Sequence, residues 1–398
     1  MIGNASKVKY IFDFMNKRKI INDPVYGFTT IPDEMIYDLI HHPIFQRLRR
    51  IRQLGLTEYV YPGAVHTRFH HALGALHLMT LAIECLRSKG IDITPEEAQS
   101  AQIAILLHDI GHSPFSHALE RKFIALDHEE ISLQYMHYLN EEYNGRLTEA
   151  IQIFTNRHPK KFLSQLVSGQ LDVDRMDYLN RDSFFTGVTE GVIGYERIIK
   201  MLYVINNQLV IEAKGIYSIE KFLQSRRIMY WQVYLHKTVL AAEKMLIHWF
   251  DLMIAENAQS MRYIQKLQSL EPQESNLKKM LKRFAEMDDT DIVFLLKSSV
   301  HHARNPDTRI LAEGLINRNL FKCQLSNKPF DAASVKKIQS TCTYPELMFK
   351  GKESNAGYTP KLNEIMILMK NGNIVPLSKA SEVQFKSTIE SKYYLIYF

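Results

Sequence analysis

Half of the chain's 16 histidines lie between residues 66 and 128, where even spreading would place about two or three. They are His66, His70, His71, His77, His108, His112, His117 and His128. Imidazole nitrogens bind transition metals and exchange protons near neutral pH, so a cluster of this density favours a metal site or acid–base chemistry. For His66 and His77 taken singly, a structural role is the simpler interpretation.

His108 and Asp109 are adjacent within the string LLHDIGH. Imidazole and carboxylate ligands without cysteine suit zinc, iron, manganese or a related divalent ion. On a helix the two side chains point about 100° apart, so both can reach one ion if the helix end faces it. Other segments must complete the site, and we expect His71 and an aspartate from further along the chain to do so. The residues alone leave three candidates for that aspartate: Asp172, Asp174 and Asp177.

The composition is that of an ordinary soluble globular protein, with 46% hydrophobic and 23% charged residues over 398 positions. The net charge of +6 suits an anionic ligand without requiring nucleic acid. Cys85, Cys323 and Cys342 are too widely spaced for a disulfide framework or a thiolate zinc site. The N-terminal segment lacks a long apolar core, and no stretch approaches the roughly 18 apolar residues of a membrane span. We therefore expect a cytoplasmic protein with no membrane partner.

Apolar residues recur at helical spacing from about residue 32 to residue 300, which predicts a mainly α fold. The clearest runs are DEMIYDLIHHPIFQRLRRIRQLG, HALGALHLMTLAIECLRSKG and EEAQSAQIAILLHDIG. Thr94 begins the third run and Gly111 follows its end, which predicts that His108 and Asp109 lie at the C-terminal end of a helix.

The pattern changes beyond about residue 318, where NLFKCQL, NEIMILMKNGNIVPL and KYYLIYF predict short strands. Asn371-Gly372 indicates a hairpin turn, and another short hairpin is expected at Tyr203–Ala213. We therefore expect an N-terminal segment over residues 1–31, an all-helical core domain over 32–317 and a small α/β C-terminal subdomain over 318–398.

Four strings, in this order, resemble a known family: HTRFHHALG, LLHDIGHSPFSH, DHEE and LDVDRMDYLNRD. They are similar to the HD superfamily of phosphohydrolases, and within it to the deoxynucleoside triphosphate triphosphohydrolases. KIINDPVYGF, HPIFQRLRRIRQLG and YLHK also resemble family segments, so the resemblance covers roughly residues 19–245. It implies a helical HD-domain core. It also implies attack of a metal-activated water on the α-phosphorus of a deoxynucleoside triphosphate, which releases deoxynucleoside and inorganic triphosphate.

The family pattern implies a role for each matching position. The metal ligands would be His71, His108, Asp109 and Asp174, holding a divalent ion such as Zn, Fe, Mn, Mg or Ni. The catalytic set would be Arg68, His112 and His117 against the phosphates, with His128 and Glu129 tied to proton transfer. Glu120 stands where the family has an aspartate, so its role is open.

The resemblance also implies a pocket for the rest of the nucleotide. Its residues would be Gln53, Leu54, Arg175, Tyr178, Asp182, Arg226 and Tyr234. Gln53 and Asp182 would hydrogen-bond the sugar 3′-hydroxyl, while Leu54 and Tyr234 would leave no room for a ribose 2′-hydroxyl. Without the resemblance, Leu54 and Tyr234 would be interpreted as core residues.

QRLRRIRQLG contains Arg47, Arg49, Arg50 and Arg52 within six residues. This basic segment is compatible with a solvated helix face, with a nucleic-acid contact or, as the resemblance implies, with a regulatory nucleotide site between subunits. That site would include Ile20, Asn22, His41 and Arg49. The family aspartate that reads guanine is replaced here by His41, and an imidazole cannot replace both acceptor oxygens of a carboxylate. We therefore expect either another activator or none in place of a guanine nucleotide.

A symmetric homo-oligomer, either a dimer or a tetramer, is expected for a helical enzyme of this kind. Two other functions are compatible with the sequence. One is an HD phosphohydrolase or phosphodiesterase that acts on a different nucleotide or on a nucleic-acid end. The other is a sensor of nucleotides or nucleic acids that keeps a metal only for structure, and such a protein would be expected to have lost a ligand or a pocket histidine.

Overall fold

The computed structural model describes residues 19–256, 261–269, 274–355, 364–383 and 390–398. Helices dominate these residues, which confirms the predicted mainly α class. One large apolar core runs through the helical part, and Trp249 and Phe250 are among its fully buried side chains. Most of the predicted N-terminal segment, residues 1–18, lies outside the described residues.

The first described elements are a short antiparallel hairpin and two short helices. They are β1 (Ile20–Asp23), β2 (Gly27–Thr30), α1 (Glu34–His41) and α2 (Pro43–Gln46), followed by a 3-10 turn at Arg47–Arg50. The helical run expected over this stretch is thus divided. Pro43 has no backbone N–H, and it disfavours helical geometry at His42, whose φ of −63° and ψ of 135° are extended.

Two long helices pack against each other at the centre of the molecule, α3 (Arg68–Ser88) and α4 (Pro95–Leu107). Thr94 and Glu97 form a capping box at the start of α4, and this helix ends directly before His108 and Asp109, as predicted. By length and composition alone α3 could cross a membrane, but 67% of its most apolar stretch is buried inside the protein. It is a core helix of the fold.

Four more helices follow along the chain: α5 (His128–Glu142), α6 (Thr148–Phe154), α7 (Lys161–Val167) and α8 (Val173–Thr186). α8 begins after the N-cap Asp172 and ends at Gly187, whose φ of +75° favours glycine. Because α8 packs against α3, the aspartates of LDVDRMD come to lie beside the histidines of α3.

The described residues contain nine more helices. They are α9 (Tyr195–Met201), α10 (Ile216–Met229), α11 (Lys237–Ala255), α12 (Arg262–Gln268), α13 (Glu274–Ala285), α14 (Asp289–His302), α15 (Pro306–Ile316), α16 (Ala332–Gln339) and α17 (Leu377–Ala380). Between α10 and α11 the chain passes through a π-helical turn, Tyr230–Tyr234. Such turns are frequent at functional sites, and this one carries Tyr234.

Both predicted hairpins contribute to one sheet. β3 (Leu202–Ile205) and β4 (Gln208–Glu212) form the first hairpin, and β7 (Met366–Leu368) and β8 (Ile374–Pro376) form the second. Asn206 and Asn207 have φ of +49° and +62°, as a tight primed turn requires. β4 pairs with β7 in parallel, so the C-terminal residues complete a four-stranded sheet that begins in the helical domain.

The remaining strands form a separate antiparallel sheet in the order β5-β9-β6. They are β5 (Lys322–Ser326), β6 (Phe349–Asn355) and β9 (Glu390–Tyr397). Lys244 of α11 pairs with Glu353 of β6 at 2.8 Å, which holds this sheet against the helical core.

Candidate active site

Two histidines and two aspartates converge from α3, α8 and the end of α4. Nε2 of His71 lies 3.4 Å from Nε2 of His108. Oδ1 of Asp174 lies 3.0 Å from the His71 Nε2 and 3.4 Å from the His108 Nε2. Asp109 closes the group, with Oδ1 3.4 Å from the His108 Nε2 and Oδ2 3.6 Å from the His71 Nε2. The structure thus brings the four predicted metal ligands together.

The other ring nitrogen of each histidine faces an acceptor. Nδ1 of His71 lies 2.7 Å from Oδ2 of Asp177, and Nδ1 of His108 lies 2.6 Å from the carbonyl oxygen of Ile105. A carboxylate or a carbonyl only accepts, so each neutral ring carries its proton on Nδ1 and directs its Nε2 lone pair into the group. Two lone pairs and two carboxylates at this spacing need a cation between them. The donor set therefore fits a divalent metal ion.

The electrostatics of the group agree with this fit. Burial lowers the pKa of His71, but hydrogen bonds with Asp174 and Asp177 outweigh burial and raise it to about 10. Burial raises the pKa of Asp174, but hydrogen bonds with His108 and His71 outweigh it and hold that pKa well below its usual value. The group therefore attracts positive charge, either as protons or as a metal ion.

The three aspartates that the sequence left open have different partners. Asp172 caps α8 and accepts hydrogen bonds from two backbone N–H groups at 2.7 and 2.8 Å. Asp177 lies on the Nδ1 side of His71 and accepts hydrogen bonds from Arg181 at 2.9 and 3.0 Å. Of the three, Asp174 is the one that faces the Nε2 atoms. Side-chain direction along α8 makes this selection, and the sequence string does not show it.

Arg68, the first residue of α3, is buried beside the group. Its Nη1 donates to Oδ2 of Asp109, and its Nε donates to Oγ of Ser116 at 2.8 Å. Arg68 therefore fixes the orientation of Asp109 and places a permanent positive charge at the wall of the adjoining cavity.

Three further histidines, His112, His117 and His128, also line the cavity. His112 stacks on His128 with ring centroids 4.0 Å apart, and His117 meets both rings edge-on. Glu120 orients the outer two, with Oε1 2.5 Å from Nδ1 of His128 and Oε2 3.2 Å from Nδ1 of His117. This leaves the Nε2 atoms of His117 and His128 available to a ligand.

Burial lowers the pKa of His112 well below its usual value, and the charge of Arg68 lowers it further. The His112 ring is therefore neutral at pH 7. Burial raises the pKa of Glu120, but hydrogen bonds with His117 and His128 outweigh burial and hold it well below its usual value. Glu120 is thus an ionised acceptor for the two rings that it orients.

Glu129, which was expected to take part in proton transfer together with His128, lies outside this wall. Glu129 is exposed in the first turn of α5 and lines a separate cavity of about 680 Å³. Adjacent residues on a helix point about 100° apart, so Glu129 is directed away from the ring of His128. The carboxylate that contacts the ring of His128 is that of Glu120. Its side chain is longer than that of the family aspartate, and it reaches both His117 and His128.

A cavity of about 490 Å³ adjoins the four converging ligands. The predicted site residues that line it are Gln53, Leu54, Arg68, Asp109, His112, His117, His128, Asp174, Tyr178, Asp182, Arg226 and Tyr234. Asp182 is held from two sides, by Nε2 of His66 at 2.7 Å and by the hydroxyl of Tyr234 at 2.7 Å. Oε1 of Gln53 is buried and has no hydrogen-bond partner among the described residues. Such a group is suited to a ligand donor.

The two predicted arginines of the substrate pocket differ. Arg226 lines the cavity, with Nη1 3.5 Å from Oε1 of Gln170. Arg175 is absent from the cavity lining, and its Nη1 donates to the N-cap carboxylate of Asp172, one helical turn back. The substrate contact expected of Arg175 therefore stays a prediction, and its Nε has no hydrogen-bond partner among the described residues.

Sequence reasoning missed several members of the site. His66 was expected to be structural, and its role is to hold Asp182. Asp177 was considered as a ligand, whereas it orients one. Tyr230 and Glu243 line the cavity, and neither residue belongs to a motif that the sequence analysis identified.

The predicted regulatory residues lie outside the cavity. Ile20, Asn22, His41 and Arg49 are all exposed. The ring of His41 packs at a tilt against that of Tyr37, and its Nδ1 lies 2.9 Å from the Tyr37 carbonyl oxygen. The Arg49 guanidinium lies 3.6 Å from the centre of the Phe69 ring.

The basic segment is not a continuous solvated helix face. Arg47 is fully buried and donates through Nε to the carbonyl oxygen of Met287 at 2.6 Å. Arg50 pairs with Asp288, and Arg52 pairs with Glu58. Three of the four arginines are thus engaged within the fold, which reduces the charge available for a nucleic-acid backbone.

Comparison with known proteins agrees with this geometry. The HD domain family matches residues 68–182, and the HD-associated region matches residues 193–275. The solved structure of a phosphohydrolase from Bacteroides thetaiotaomicron is similar with a TM-score of 0.89 and 46% identity, covering 96% of this chain and 100% of that chain.

Curated relatives are more distant. An uncharacterised protein of Bacillus subtilis, YwfO, is 36% identical over 239 residues, which cover 58% of this chain and 55% of that protein. A deoxynucleoside triphosphate triphosphohydrolase SAMHD1 homolog of Dictyostelium discoideum is 30% identical over 327 residues, which cover 76% of this chain and 59% of that protein. The chain thus spans less than two thirds of the length of these two relatives. The matched domains and the similarity to the Bacteroides structure show that the chain belongs to the HD-domain phosphohydrolase family.

Proposed function

We propose that the protein is a metal-dependent enzyme that hydrolyses deoxynucleoside triphosphates to deoxynucleoside and inorganic triphosphate, with water attacking the α-phosphorus. One observation carries the proposal. The cavity that adjoins the His-Asp group is also lined by two acceptors suited to a sugar hydroxyl, Asp182 and the unpartnered Oε1 of Gln53. Its volume of about 490 Å³ suits a ligand of nucleotide size.

His71, His108, Asp109 and Asp174 would hold the metal ion, which could be Zn, Fe, Mn, Mg or Ni. When bound, a divalent ion polarises a phosphoryl oxygen and lowers the pKa of water. Asp177 and the Ile105 carbonyl fix the histidine tautomers, and Arg68 fixes Asp109. These outer contacts keep the ligands in place without rearrangement during turnover.

Phosphate binding falls to the cationic and donor groups of the wall. Arg68 and Arg226 supply permanent charge. His117 and His128 would donate to phosphate from Nε2 when their rings are doubly protonated, because Nδ1 of each ring faces Glu120. His112 is neutral and lies with Nε2 3.3 Å from Oδ1 of Asp109, at the boundary between ligands and phosphates. A proton for the leaving 5′-oxygen can come from the histidines that Glu120 orients.

Selection of deoxyribose would depend on the other end of the cavity. Oε1 of Gln53 would accept a hydrogen bond from the sugar 3′-hydroxyl, and Asp182 would accept a second one. Leu54 and the Tyr234 ring would crowd the 2′ position, so a ribose hydroxyl there would be buried without a partner.

A product assay with purified protein tests the proposal. Each deoxynucleoside triphosphate is incubated singly, and the four are also mixed to detect activation of one nucleotide's hydrolysis by another. Deoxynucleoside together with inorganic triphosphate supports the proposal. Orthophosphate as the product, or no turnover of any deoxynucleotide, overturns it and directs attention to other nucleotides, nucleic-acid ends or a sensor role.

A further inference from the structure

One carboxyl group on the cavity wall has no role in the proposed chemistry. Glu243 of α11 is partly buried and lines the cavity with Tyr230 and Tyr234. Among the described residues it has no hydrogen-bond or ion-pair partner. The other carboxylates of this wall all have partners: Asp109 has Arg68, Asp174 has His71 and His108, and Asp182 has His66 and Tyr234. Glu243 is thus available to a ligand.

The charged surroundings of Glu243 differ from those of the metal ligands. The charged residues that act on its carboxyl are Lys244 and Glu353, on the side of β6. Burial raises the pKa of Tyr230, and the charges of Glu353 and Glu243 raise it further. Tyr230 therefore lies within reach of the Glu243 charge, and both residues line the cavity.

The tyrosines link the two ends of the cavity. The ring of Tyr178 meets that of Tyr234 at 6.2 Å, and Tyr234 meets Tyr230 at 6.1 Å, both edge to face. A nucleotide with its triphosphate at the His-Asp group and its sugar at Asp182 would extend its base along this row. The base edge would then meet the Glu243 carboxyl.

We propose that Glu243 determines base specificity by accepting hydrogen bonds from the base, and that it favours guanine. This inference rests on the proposed function and adds its substrate preference. Guanine presents two adjacent N–H donors, at N1 and N2, which match the two oxygens of a carboxylate. Thymine presents a single N–H that is flanked by two carbonyl oxygens. A carboxylate repels these oxygens. The Glu243 carboxylate also repels the phosphates of the nucleotide. The nucleotide therefore binds with its base, and not its triphosphate, at Glu243.

The experiment compares the binding of deoxyguanosine with that of thymidine. Both are expected reaction products, so the enzyme can bind them without hydrolysing them. Dissociation constants are measured at pH 8.5 by equilibrium dialysis with metal-loaded wild type, Glu243→Ala, Glu243→Gln and the control Glu353→Gln. The kcat/KM values for dGTP and dTTP are measured with the same four proteins. Glu353 is a matched control, because it belongs to the same charged neighbourhood without lining the cavity.

We expect wild type and Glu353→Gln to prefer the guanine compounds by about tenfold or more, as one or two hydrogen bonds to a charged acceptor would give. Both Glu243 variants should narrow that preference to about threefold or less by weakening guanine binding while leaving thymidine binding unchanged. Equal affinity of wild type for both nucleosides would overturn the inference, and so would an equal loss of affinity for both nucleosides in the variants. The proposed function would still stand in either case if both triphosphates are cleaved. If wild type neither binds nor cleaves either nucleotide, the inference and the proposed function both fail.

Discussion

Nδ1 of His71 lies 2.7 Å from the carboxylate of Asp177, and both side chains are fully buried. Asp177 also accepts two hydrogen bonds from Arg181, whose Nη1 donates to Asp23 of β1 at 2.9 Å. The N-terminal hairpin, α8 and α3 are therefore joined at the outer side of one proposed metal ligand. Orientation of His71 depends on residues that would never touch the ion.

Asp177→Asn tests this arrangement. The amide lacks the charge that favours the proton on Nδ1 of His71, so we expect metal affinity to fall by about 10- to 100-fold. Titration of the metal-free protein with a divalent metal gives the affinity, and thermal unfolding shows how far the loss of the Arg181 pair destabilises the fold. Asp251→Asn, at an exposed aspartate paired with Lys122, should leave both quantities unchanged. An unaltered affinity in Asp177→Asn would contradict the orienting role.

Asp174→Ala removes the aspartate that faces both Nε2 atoms. We expect metal content to fall to about a tenth of an ion per chain or less, and turnover to fall by at least about 1,000-fold, because the remaining groups cannot complete the site. Elemental analysis and the product assay measure the two effects. Full activity in this variant would refute the assignment of Asp174 as a ligand.

Substitutions of Glu120 and Glu129 are expected to affect kcat differently. Glu120→Gln replaces the acceptor that orients His117 and His128, and we expect kcat to fall by about 10- to 100-fold. Glu129→Gln changes an exposed side chain outside the active-site cavity, so its kcat should stay within about twofold of wild type. Steady-state kinetics of the two variants compares them directly. The reverse ranking would favour Glu129 over Glu120 as the carboxylate that supports proton transfer.

Glu243 should make stability depend on pH. Burial raises its pKa from the usual 4.5 to about 7, so the folded protein holds this proton between those values while the unfolded chain releases it. The contribution to stability is therefore full below pH 4.5 and is lost as pH rises to about 7. Glu243→Gln cannot titrate, so relative to wild type it should gain about 1–2 kcal/mol between pH 4.5 and pH 8, allowing for partial exposure. Urea unfolding at these two pH values measures the change, and a constant difference would exclude a buried proton at Glu243.

Gly74 of α3 lies against the Asp177–Arg181 pair. A Cβ at this position would overlap Oδ1 of Asp177 and Nη2 of Arg181. In an exposed helix, glycine to alanine stabilises by about 1 kcal/mol, but here we expect Gly74→Ala to destabilise by about 2–3 kcal/mol and to weaken metal binding. Gly194→Ala, where a Cβ would meet open space at a φ of −82°, is the matched control. Chemical unfolding of both variants shows whether packing or helix propensity prevails.

The sequence by itself determined the elements and the local order of the site. Helical periodicity and the Thr94 cap predicted that His108 and Asp109 end a helix, and they do. Asn206-Asn207 predicted the hairpin of β3 and β4, and Asn371-Gly372 predicted that of β7 and β8. These features depend on contacts within a few residues, which local side-chain chemistry specifies.

Tertiary structure decided which side chains meet. The packing of α8 against α3 selects Asp174 over Asp172 and Asp177, and the turn after α4 brings Glu120 to His128 in place of the neighbouring Glu129. Pairing of β4 with β7 joins two stretches more than 150 residues apart, and α11 brings Glu243 to the cavity. Contacts of this kind depend on the relative placement of whole elements, which a helical or strand period leaves undetermined.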